Sequence, residues 1–519
     1  MGFVVLVFGV VALVHYYLWR RLVKATTTPG RTRRVLTRVL LGLGVLVPVT
    51  LVGSRAGWGH FLAWPGFFWI AVMFYLLVFL AVLEIPRALA LFALERRSRR
   101  RSEAALARRM ADRRRARAAE PALTGEPVPV RTGAHPETAP AAGSPDPESR
   151  ARPVSGLESP AAEHPVSGPE SPIAEHPVPE QEETAGESAA SREAGDGSSG
   201  RTESPARGGE PEAIGRRLFI ARTAAAVAGV GALATVGYGV RTALGDPVIE
   251  SVKVTLPRLD PRLSGLRFAV VSDIHLGPLT GTGHSERIVR MINSLQVDVV
   301  AVVGDLVDGT VAELGRLARP LANLESRYGS YFVTGNHEYY TANGPDEWVE
   351  ELGGLGIRTL RNERVEIAHG GAVLDLAGVD DVTGTGGTGT GGTGTGGTGT
   401  GGTGTGGTGT GGTGTAPQGP DFERALGGRD RSRSVVLLAH QPVQAVQAAE
   451  HGVDLQLSGH THGGQMVPFN LVVPVQQPVV AGLGEVGGTQ VYVTRGAGFW
   501  GPPVRVGAPP EITLLELRA

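Results

Sequence analysis

The sequence predicts an α/β domain with layered sheets in its C-terminal half, preceded by transmembrane helices and a disordered linker. From about residue 246 onward, short β-rich runs bounded by turns alternate with helical segments, which is typical of α/β domains. Apolar runs dominate the first 95 residues. A tract of Pro, Glu, Ala, Ser and Gly with almost no aromatic residues separates these two regions.

The composition excludes several classes of chemistry. The 519 residues include no cysteine, so disulfides, thiolate nucleophiles and cysteine-type zinc sites are excluded. The formal net charge of −1 gives no general indication of nucleic-acid binding. The 76 glycines and 36 prolines come largely from two low-complexity tracts, so the folded part is much shorter than the chain.

Residues 1–95 form the predicted N-terminal membrane region, with apolar runs at 3–18, 39–52 and 61–83. About 20 apolar residues cross a bilayer, so we expect about three transmembrane helices, the second of which must extend to residue 35 to be long enough. A signal peptide followed by core helices fits less well, because no cleavage site follows the first run and two more apolar runs come after it.

Basic residues predict the orientation of these helices. The loop after the first run holds six Arg or Lys residues, the loop after the second holds only Arg55, and residues 96–117 are rich in arginine. By the positive-inside rule the first loop and the segment after residue 96 are cytoplasmic. This arginine cluster could bind nucleic acid, but beside a membrane helix it more often faces anionic lipid.

Residues 96–213 are predicted to be a basic and then Pro/Glu/Ala-rich disordered cytoplasmic linker, which contains a tandem duplication at 153–176. Residues 214–243 follow as a fourth transmembrane helix or a twin-arginine-like signal anchor, because Arg216 and Arg217 precede a weakly apolar run. Either alternative places the following domain on the extracytoplasmic side of the cell membrane. A buried soluble helix is the third alternative.

Residues 246–519 are predicted to be the catalytic domain, interrupted by a Gly/Thr repeat at 383–415 that has no apolar residue to bury and is interpreted as a flexible insertion. The expected helices are 285–295, 311–324, 346–352 and 443–450. The expected strands are 266–271, 297–303, 329–333, 365–367, 372–376, 434–438, 454–457, 492–494 and 512–517.

Five of the predicted strands run directly into polar side chains. Open α/β sheets bind ligands outside the carboxyl ends of their strands, so these side chains are expected to share one site. They supply nitrogen and oxygen ligands without sulfur, and they are too many for one tetrahedral zinc. Two metal ions that share a carboxylate fit better, and such a pair promotes hydrolysis at phosphorus. Ligand type permits manganese, iron, zinc or cobalt. The candidate ligands are Asp273, His275, Asp305, Asn336, His440, His460 and His462.

These motifs, together with Gly-His-Thr-His-Gly-Gly-Gln at 459–465, resemble the calcineurin-like metallophosphoesterase superfamily, in particular its bacterial membrane-associated branch. The resemblance covers roughly residues 248–519 and implies a metallophosphoesterase-type β-sandwich of two sheets flanked by helices. Carried over by position, it implies that one divalent metal ion is held by Asp273, His275 and His462, that the other is held by Asn336, His440 and His460, and that Asp305 bridges them.

The resemblance also implies that His337 contacts the phosphate and protonates the leaving oxygen as a catalytic residue. Alternatively, His337 orients Asp305 or a water molecule instead of acting as the acid. Asp308 and Glu338 are expected to be orienting or surface carboxylates rather than ligands.

The function predicted from these observations is a membrane-anchored phosphoesterase that hydrolyses a phosphomonoester, phosphodiester or pyrophosphate bond in a lipid-linked or cell-envelope substrate. The alternatives are a nuclease or nucleotide phosphodiesterase and a non-catalytic membrane sensor. No nucleic-acid partner is expected, because no basic groove interleaved with aromatic residues accompanies the motifs. A sensor would be marked by lost ligands, and none is lost. The oligomeric state and any cleavage near 214–243 stay open.

Overall fold

The computed structural model describes residues 2–55, 60–118, 210–385 and 419–519. The predicted disorder at 119–209, with its duplication, and nearly all of the Gly/Thr insertion lie outside the described residues. Contacts divide the chain into one unit of residues 1–100 with 208–519 and a second unit of residues 101–207. Within the second unit only residues 101–118 are described, and they are helical.

Four helices make up the N-terminal part: α1 (Gly2–Leu18), α2 (Arg31–Arg55), α3 (His60–Ala118) and α4 (Glu210–Leu244). Among the described residues, three stretches are long and apolar enough to cross a membrane: Arg31–Gly53, Phe61–Arg115 and Arg217–Leu244. Helix α1 has 17 residues, at the lower end of the range for a span, and continues as a π-helix over Trp19–Lys24. The basic run from residue 96 to 118 continues α3, and residues 210–213, which were assigned to the linker, belong to α4.

Helices α3 and α4 pack side by side and bring the basic loop to one end of the bundle. Gly231 of α4 lies against the ring of Phe79 of α3. Near the start of α4, the guanidinium of Arg222 donates to the carbonyl oxygen of Thr26 at 3.0 Å. Arg21 in the same loop region pairs with Glu84 of α3 at 2.6 Å. The N-terminal half of α4 therefore lies beside the positively charged loop.

The other end of α4 contacts the C-terminal domain. The backbone N–H of Arg505 donates to the carbonyl oxygen of Gly239 at 3.0 Å. Val504 packs with Val236 in the apolar cluster of the helical bundle. A side chain at position 239 would collide with Val504, so glycine permits this close approach. The basic loop and the C-terminal domain thus lie at opposite ends of α4.

The C-terminal domain is a sandwich of two six-stranded sheets flanked by helices, as predicted. The first sheet contains, in spatial order, β1 (Val248–Thr255), β12 (Glu511–Arg518), β2 (Arg267–Val271), β3 (Val299–Val303), β4 (Ser330–Val333) and β5 (Ile357–Thr359). The second contains β10 (Gly482–Val486), β11 (Thr489–Val493), β9 (Leu455–Ser458), β8 (Val435–Leu438), β7 (Ala372–Gly378) and β6 (Glu363–His369).

The nine predicted strands are confirmed, and three further strands were missed for physical reasons. Strand β1 is an edge strand whose first four residues are all exposed, β5 has three residues, and β10 has two glycines among its five residues. The helices are α5 (Thr282–Ser294), α6 (Val311–Ala318), α7 (Asn336–Tyr340), α8 (Asp346–Gly354), α9 (Phe422–Leu426) and α10 (Ala445–Glu450). The helix predicted at 311–324 is wrong in its second half, because Pro320 forces a 3₁₀ segment there.

Both faces of the first sheet are buried, which explains its continuous apolar strands. Phe268 and Val270 point between the two sheets, where they meet Leu376 and Leu438 of the second sheet in one cluster. Ala269 and Val271 point the other way, toward the flanking helices α5, α6 and α8. The strands β2, β3 and β4 run parallel, as do β8 and β9, so their carboxyl ends meet at one edge of the sandwich.

We expect Phe268→Ala to lower the free energy of unfolding by about 3–5 kcal/mol, because it leaves a cavity between the two sheets. Urea denaturation of the purified protein in detergent measures the change. Val446→Ala, at an exposed position of α10, is the matched control and should change the free energy by less than about 0.5 kcal/mol. Equal effects of the two substitutions would contradict this assignment of the core.

Candidate metal centre

The carboxyl ends of five strands bring all eight residues singled out in the sequence to one place. Asp273 and His275 follow β2, Asp305 follows β3, and His440 follows β8. Asn336 and His337 begin α7 after β4, and His460 and His462 lie in the turn after β9. Adjacent strand ends are tied together beyond the sheets: Asp273 N–H donates to Gly304 O at 3.1 Å and Gly459 N–H donates to His440 O at 3.0 Å.

One group of side chains that could hold a metal ion consists of Asp273, His275 and His462. The potential ligand atoms of these three buried residues all lie within 4.8 Å of one another. His275 Nε2 is 3.1 Å from His462 Nε2, and His462 Nε2 is 3.4 Å from Asp273 Oδ1. Two imidazole nitrogens and a carboxylate oxygen that converge in this way match the ligand types that transition metals prefer.

A second group consists of Asp305, His440 and His460, again with ligand atoms within 4.8 Å of one another. Asn336 adjoins this group, because its Oδ1 is 2.9 Å from His460 Nδ1. Asp305 Oδ2 lies 3.1 Å from His440 Nε2 and 3.9 Å from His275 Nε2 of the first group. The Asp305 carboxylate is therefore positioned between the two groups.

His440 carries a buried nitrogen that a metal ion would satisfy. Its Nδ1 donates to the carbonyl oxygen of Val303 at 2.8 Å, so Nε2 is the ring nitrogen that faces the site. Nε2 is buried without a hydrogen-bond partner, since Asp305 Oδ2 is close but lies out of hydrogen-bonding geometry. Buried polar atoms in proteins are normally paired, so this nitrogen supports a cation between His440 and Asp305.

Asp308 contacts two histidines, His275 and His337, and forms with them a third group of side chains that could hold a metal ion. Its Oδ1 accepts from Nδ1 of His275 at 2.8 Å and from Nδ1 of His337 at the same distance. A proton on Nδ1 of His275 leaves Nε2 free to bind a metal, which is the usual role of a carboxylate behind a metal-binding histidine. The expectation that Asp308 is an orienting carboxylate therefore agrees with its position.

Glu338 links two of the strand ends. Its side chain is fully buried and accepts from the backbone N–H groups of Gly335 at 2.6 Å, Leu306 at 2.8 Å and Asp305 at 3.1 Å. A side chain at position 335 would collide with Asp305, so glycine lets the two strand ends approach. Glu338 and Gly335 together hold the backbone of Asp305 in place.

The backbone around the site is strained. Five of the candidate residues have left-handed backbone conformations that non-glycine residues rarely adopt, at an energetic cost that the surrounding fold must offset. Such outliers cluster at functional sites. Their φ angles are 52° for Asp273, 48° for His275, 51° for Asp305, 70° for His460 and 51° for His462.

Burial and mutual charge set the protonation of the site. Burial would raise the pKa of Asp305, but the nearby His440 and His337 hold that pKa well below its ordinary value. Burial lowers the pKa of His460 to about 3, helped by His440. Burial also lowers the pKa of His462, helped by Arg505. His460 and His462 are therefore neutral at pH 7, as metal binding by imidazole requires.

The pKa of His337 is shifted in the opposite direction from those of His460 and His462. Burial would lower its pKa, but Asp305 and Asp308 raise it to about 9. Its ring meets the edge of the His275 ring with centroids 4.6 Å apart. Since Asp308 occupies Nδ1, Nε2 is the nitrogen that can reach a bound molecule. His337 is thus a protonated imidazole beside the two groups.

Arg505 is a functional candidate that sequence reasoning missed. It is fully buried and donates to the carbonyl oxygens of Gly498 at 2.6 Å and His462 at 3.1 Å. Its Nη2 also donates to Nδ1 of His462 at 3.0 Å. The available signal was one charged residue in the run Pro-Pro-Val-Arg-Val-Gly-Ala-Pro-Pro. Charged side chains are seldom buried without a partner, so a charged residue in such an apolar run indicates that it has one.

We expect Arg505→Met to weaken divalent-metal binding about 10- to 100-fold, because the carbonyl oxygens of His462 and Gly498 lose the buried guanidinium that holds the turn carrying His462. Arg505→Lys, which keeps the charge but not the forked geometry, should weaken metal binding by an intermediate amount. Titration calorimetry with Mn²⁺ measures the affinity. The control is Arg258→Met, which removes an exposed arginine paired with Asp454 at the opposite end of β9. Unchanged affinity in Arg505→Met would show that Arg505 does not position the ligand.

Comparison with known proteins identifies the family. The family model for calcineurin-like phosphoesterases matches residues 266–464, which include every candidate ligand. A transmembrane protein with metallophosphoesterase domain from Danio rerio is 37% identical over 287 residues, covering 54% of this chain and 60% of that protein. Its counterpart from Bos taurus is 38% identical over 290 residues, covering 54% and 59%. The matched region thus spans about three fifths of these relatives.

A metallophosphoesterase from Helicobacter pylori is 36% identical over 290 residues, which cover 55% of this chain and 68% of that protein. The matched region includes the strand ends that carry the two groups of side chains. The motifs, the two-sheet sandwich and these matches agree. The chain therefore belongs to the calcineurin-like phosphoesterase family.

Proposed function

We propose that this chain is a membrane-anchored phosphoesterase that depends on two divalent metal ions. The observation that carries the proposal is the position of Asp305 between two groups of nitrogen and oxygen ligands. In this proposal Asp273, His275 and His462 hold one ion. Asn336, His440 and His460 hold the other, and Asp305 is shared. The unpaired Nε2 of His440 supports a metal at that position.

The metal pair, when bound, supplies Lewis acidity that lowers the pKa of a water and neutralises charge on the phosphoryl group. Manganese, iron, zinc and cobalt all suit this ligand set. The chain itself fixes the ligands: Asp308 orients His275, the Val303 carbonyl orients His440, and Arg505 holds the backbone carbonyl of His462. These contacts hold the centre ready before substrate arrives.

His337 acts in the proposal as the general acid. During hydrolysis a water oxygen bonds to phosphorus and the water loses one proton to solvent. The bond from phosphorus to the leaving oxygen breaks, and the leaving oxygen takes the proton of His337 Nε2, which solvent then replaces. Asp308 accepts from Nδ1 and aligns the ring, so Nε2 is the nitrogen that would donate to the leaving oxygen. Contact of His337 with the phosphate is part of the same proposal.

The proposed substrate is a phosphorylated molecule of the membrane or cell envelope, and the proposed position of the catalytic domain is extracytoplasmic. The arrangement of α4 supports this topology, because its N-terminal half lies by the basic loop while Gly239 contacts the C-terminal domain. The proposed domains are residues 1–95, 96–213, 214–243 and 246–519, and the two ends of the proposed linker, 96–118 and 210–213, are helical. Retention of the segment 214–243 as a membrane helix is part of the proposal.

Asp305→Ala should abolish metal-dependent hydrolysis of bis(p-nitrophenyl) phosphate, because both groups lose the carboxylate between them. His440→Ala should lower the metal content from about two ions to about one per chain. Spectrophotometry and elemental analysis of the purified protein measure the two effects, with Val446→Ala as the control. Unchanged turnover in Asp305→Ala would refute the proposed centre. The same preparation, tested on phospholipid, nucleotide and DNA substrates, separates the predicted substrate class from a nuclease.

His337→Asn should lower kcat about 10²- to 10⁴-fold for a substrate with a poor alkoxide leaving group, because a proton is needed at that oxygen. The loss should be much smaller for p-nitrophenolate, which leaves without a proton. Metal content should stay at the wild-type level. Steady-state kinetics with a pair of alkyl and aryl phosphoesters measures the difference. Equal losses on both substrates would mean that His337 orients water or Asp305 instead.

A further inference from the structure

The segment that follows the histidine turn exposes apolar side chains to an unusual degree. From Gly463 to Gly484 the chain contains no charged residue. Within it Leu471 is 73% exposed and Val475 is 81% exposed. Val467, Phe469 and Val472 are also exposed. We name residues 467–475 the apolar rim. An exposed segment that has no charged residue and several apolar side chains close together marks an interaction site.

The apolar rim starts directly beside the candidate metal centre. Gln465 joins the end of the histidine turn to Trp500: its Nε2 donates to the carbonyl oxygen of Trp500 at 2.9 Å, and its Oε1 accepts from the Trp500 N–H at 3.0 Å. The ring of Trp500 lies 6.3 Å from the ring of His337. A surface that covers the rim would therefore border the site.

The base of the apolar rim is joined to the helices proposed to span the membrane. Met466, which pairs with Val506, packs against the apolar cluster that contains Val236 of α4. Gly501, next to Trp500, lies against the ring of Phe67 in α3. The rim is thus continuous with the part of the molecule that the bilayer would surround.

The length of α4 indicates how deep in the proposed bilayer these contacts lie. Its apolar stretch has 28 residues, about 42 Å at about 1.5 Å per residue, whereas a hydrocarbon core is about 30 Å thick. Gly239, which binds the Arg505 N–H, lies five residues before Leu244. It is therefore about 7 Å from the helix end, near the boundary between hydrocarbon and headgroups. Tryptophan, here Trp500, is common at that depth.

We infer that the apolar rim inserts into the lipid surface of the membrane that holds α4, so that the metal centre faces the headgroups of that bilayer. This inference rests on the proposed function, and it narrows the substrate class to phosphorylated molecules whose phosphate lies at the headgroup level. A lipid surface is favoured over a second copy of the chain because the rim adjoins α3 and α4, which themselves require lipid around them.

The absence of cysteine permits a direct test. Leu471→Cys and Val475→Cys in the full chain each introduce a single thiol for a nitroxide spin label. After reconstitution into phosphatidylcholine and phosphatidylglycerol vesicles, power-saturation EPR compares collisions with oxygen, which concentrates in lipid, and with a water-soluble nickel chelate. Val446→Cys, on an exposed valine of α10, is the matched control. Both rim labels should favour oxygen at least about threefold over the control label.

Two outcomes would overturn the inference. Rim labels that collide with nickel as often as the Val446 label would place the rim in water. Rim labels shielded from both reagents would show that protein, such as a second copy, covers the rim. Hydrolysis of bis(p-nitrophenyl) phosphate by the labelled proteins is measured in parallel, so loss of the proposed activity and an aqueous rim are separate results. Two independent positions keep the test valid if one variant does not fold.

Discussion

The buried carboxylate of Asp305 is the charge on which the rest of the site depends. An ionised carboxylate removed from water is costly unless positive charge and hydrogen bonds surround it. Here the His337 backbone N–H donates to Oδ1 at 2.9 Å, and the His440 ring lies 3.1 Å from Oδ2. Glu338 holds the backbone on either side of it. The neighbouring histidines are thus arranged around one negative charge, which two cations would share.

Holding that charge requires a rigid frame. The left-handed backbone at five candidate residues costs free energy, and the frame that offsets this cost is the core between the sheets and the helices packed outside them. The parallel strands deliver their last residues to one edge, and Gly335 lets two of those ends touch. Stability is concentrated in the sandwich, while strain is concentrated in the turns that follow it.

Helices α3 and α4, which we propose span the membrane, contact the C-terminal domain directly. Arg505 donates its backbone N–H to Gly239 of α4 and its guanidinium to His462, so a single residue connects a proposed membrane span with a proposed metal ligand. The Trp500 segment likewise lies between Phe67 of α3 and His337. The proposed metal centre is therefore physically continuous with the proposed anchor.

The sequence by itself determined the layered α/β fold, nine of the twelve strands described, and the strand ends at which the candidate residues lie. These follow from local rules: apolar strands that are buried on both faces and polar residues placed where each strand ends. It could not reveal β1, an edge strand most of whose residues are exposed, or the continuation of α3 through its basic run.

Only the tertiary structure decided how the candidate metal ligands divide into two groups around Asp305. It also decided that Asp308 contacts two histidines and that Arg505 and Trp500 lie beside these ligands. These relations join residues far apart in the chain, such as His275 with His462 and Gly239 with Arg505. No local pattern encodes such a distance, because it results from the packing of the two sheets against each other and of α4 against the loop that carries Arg505.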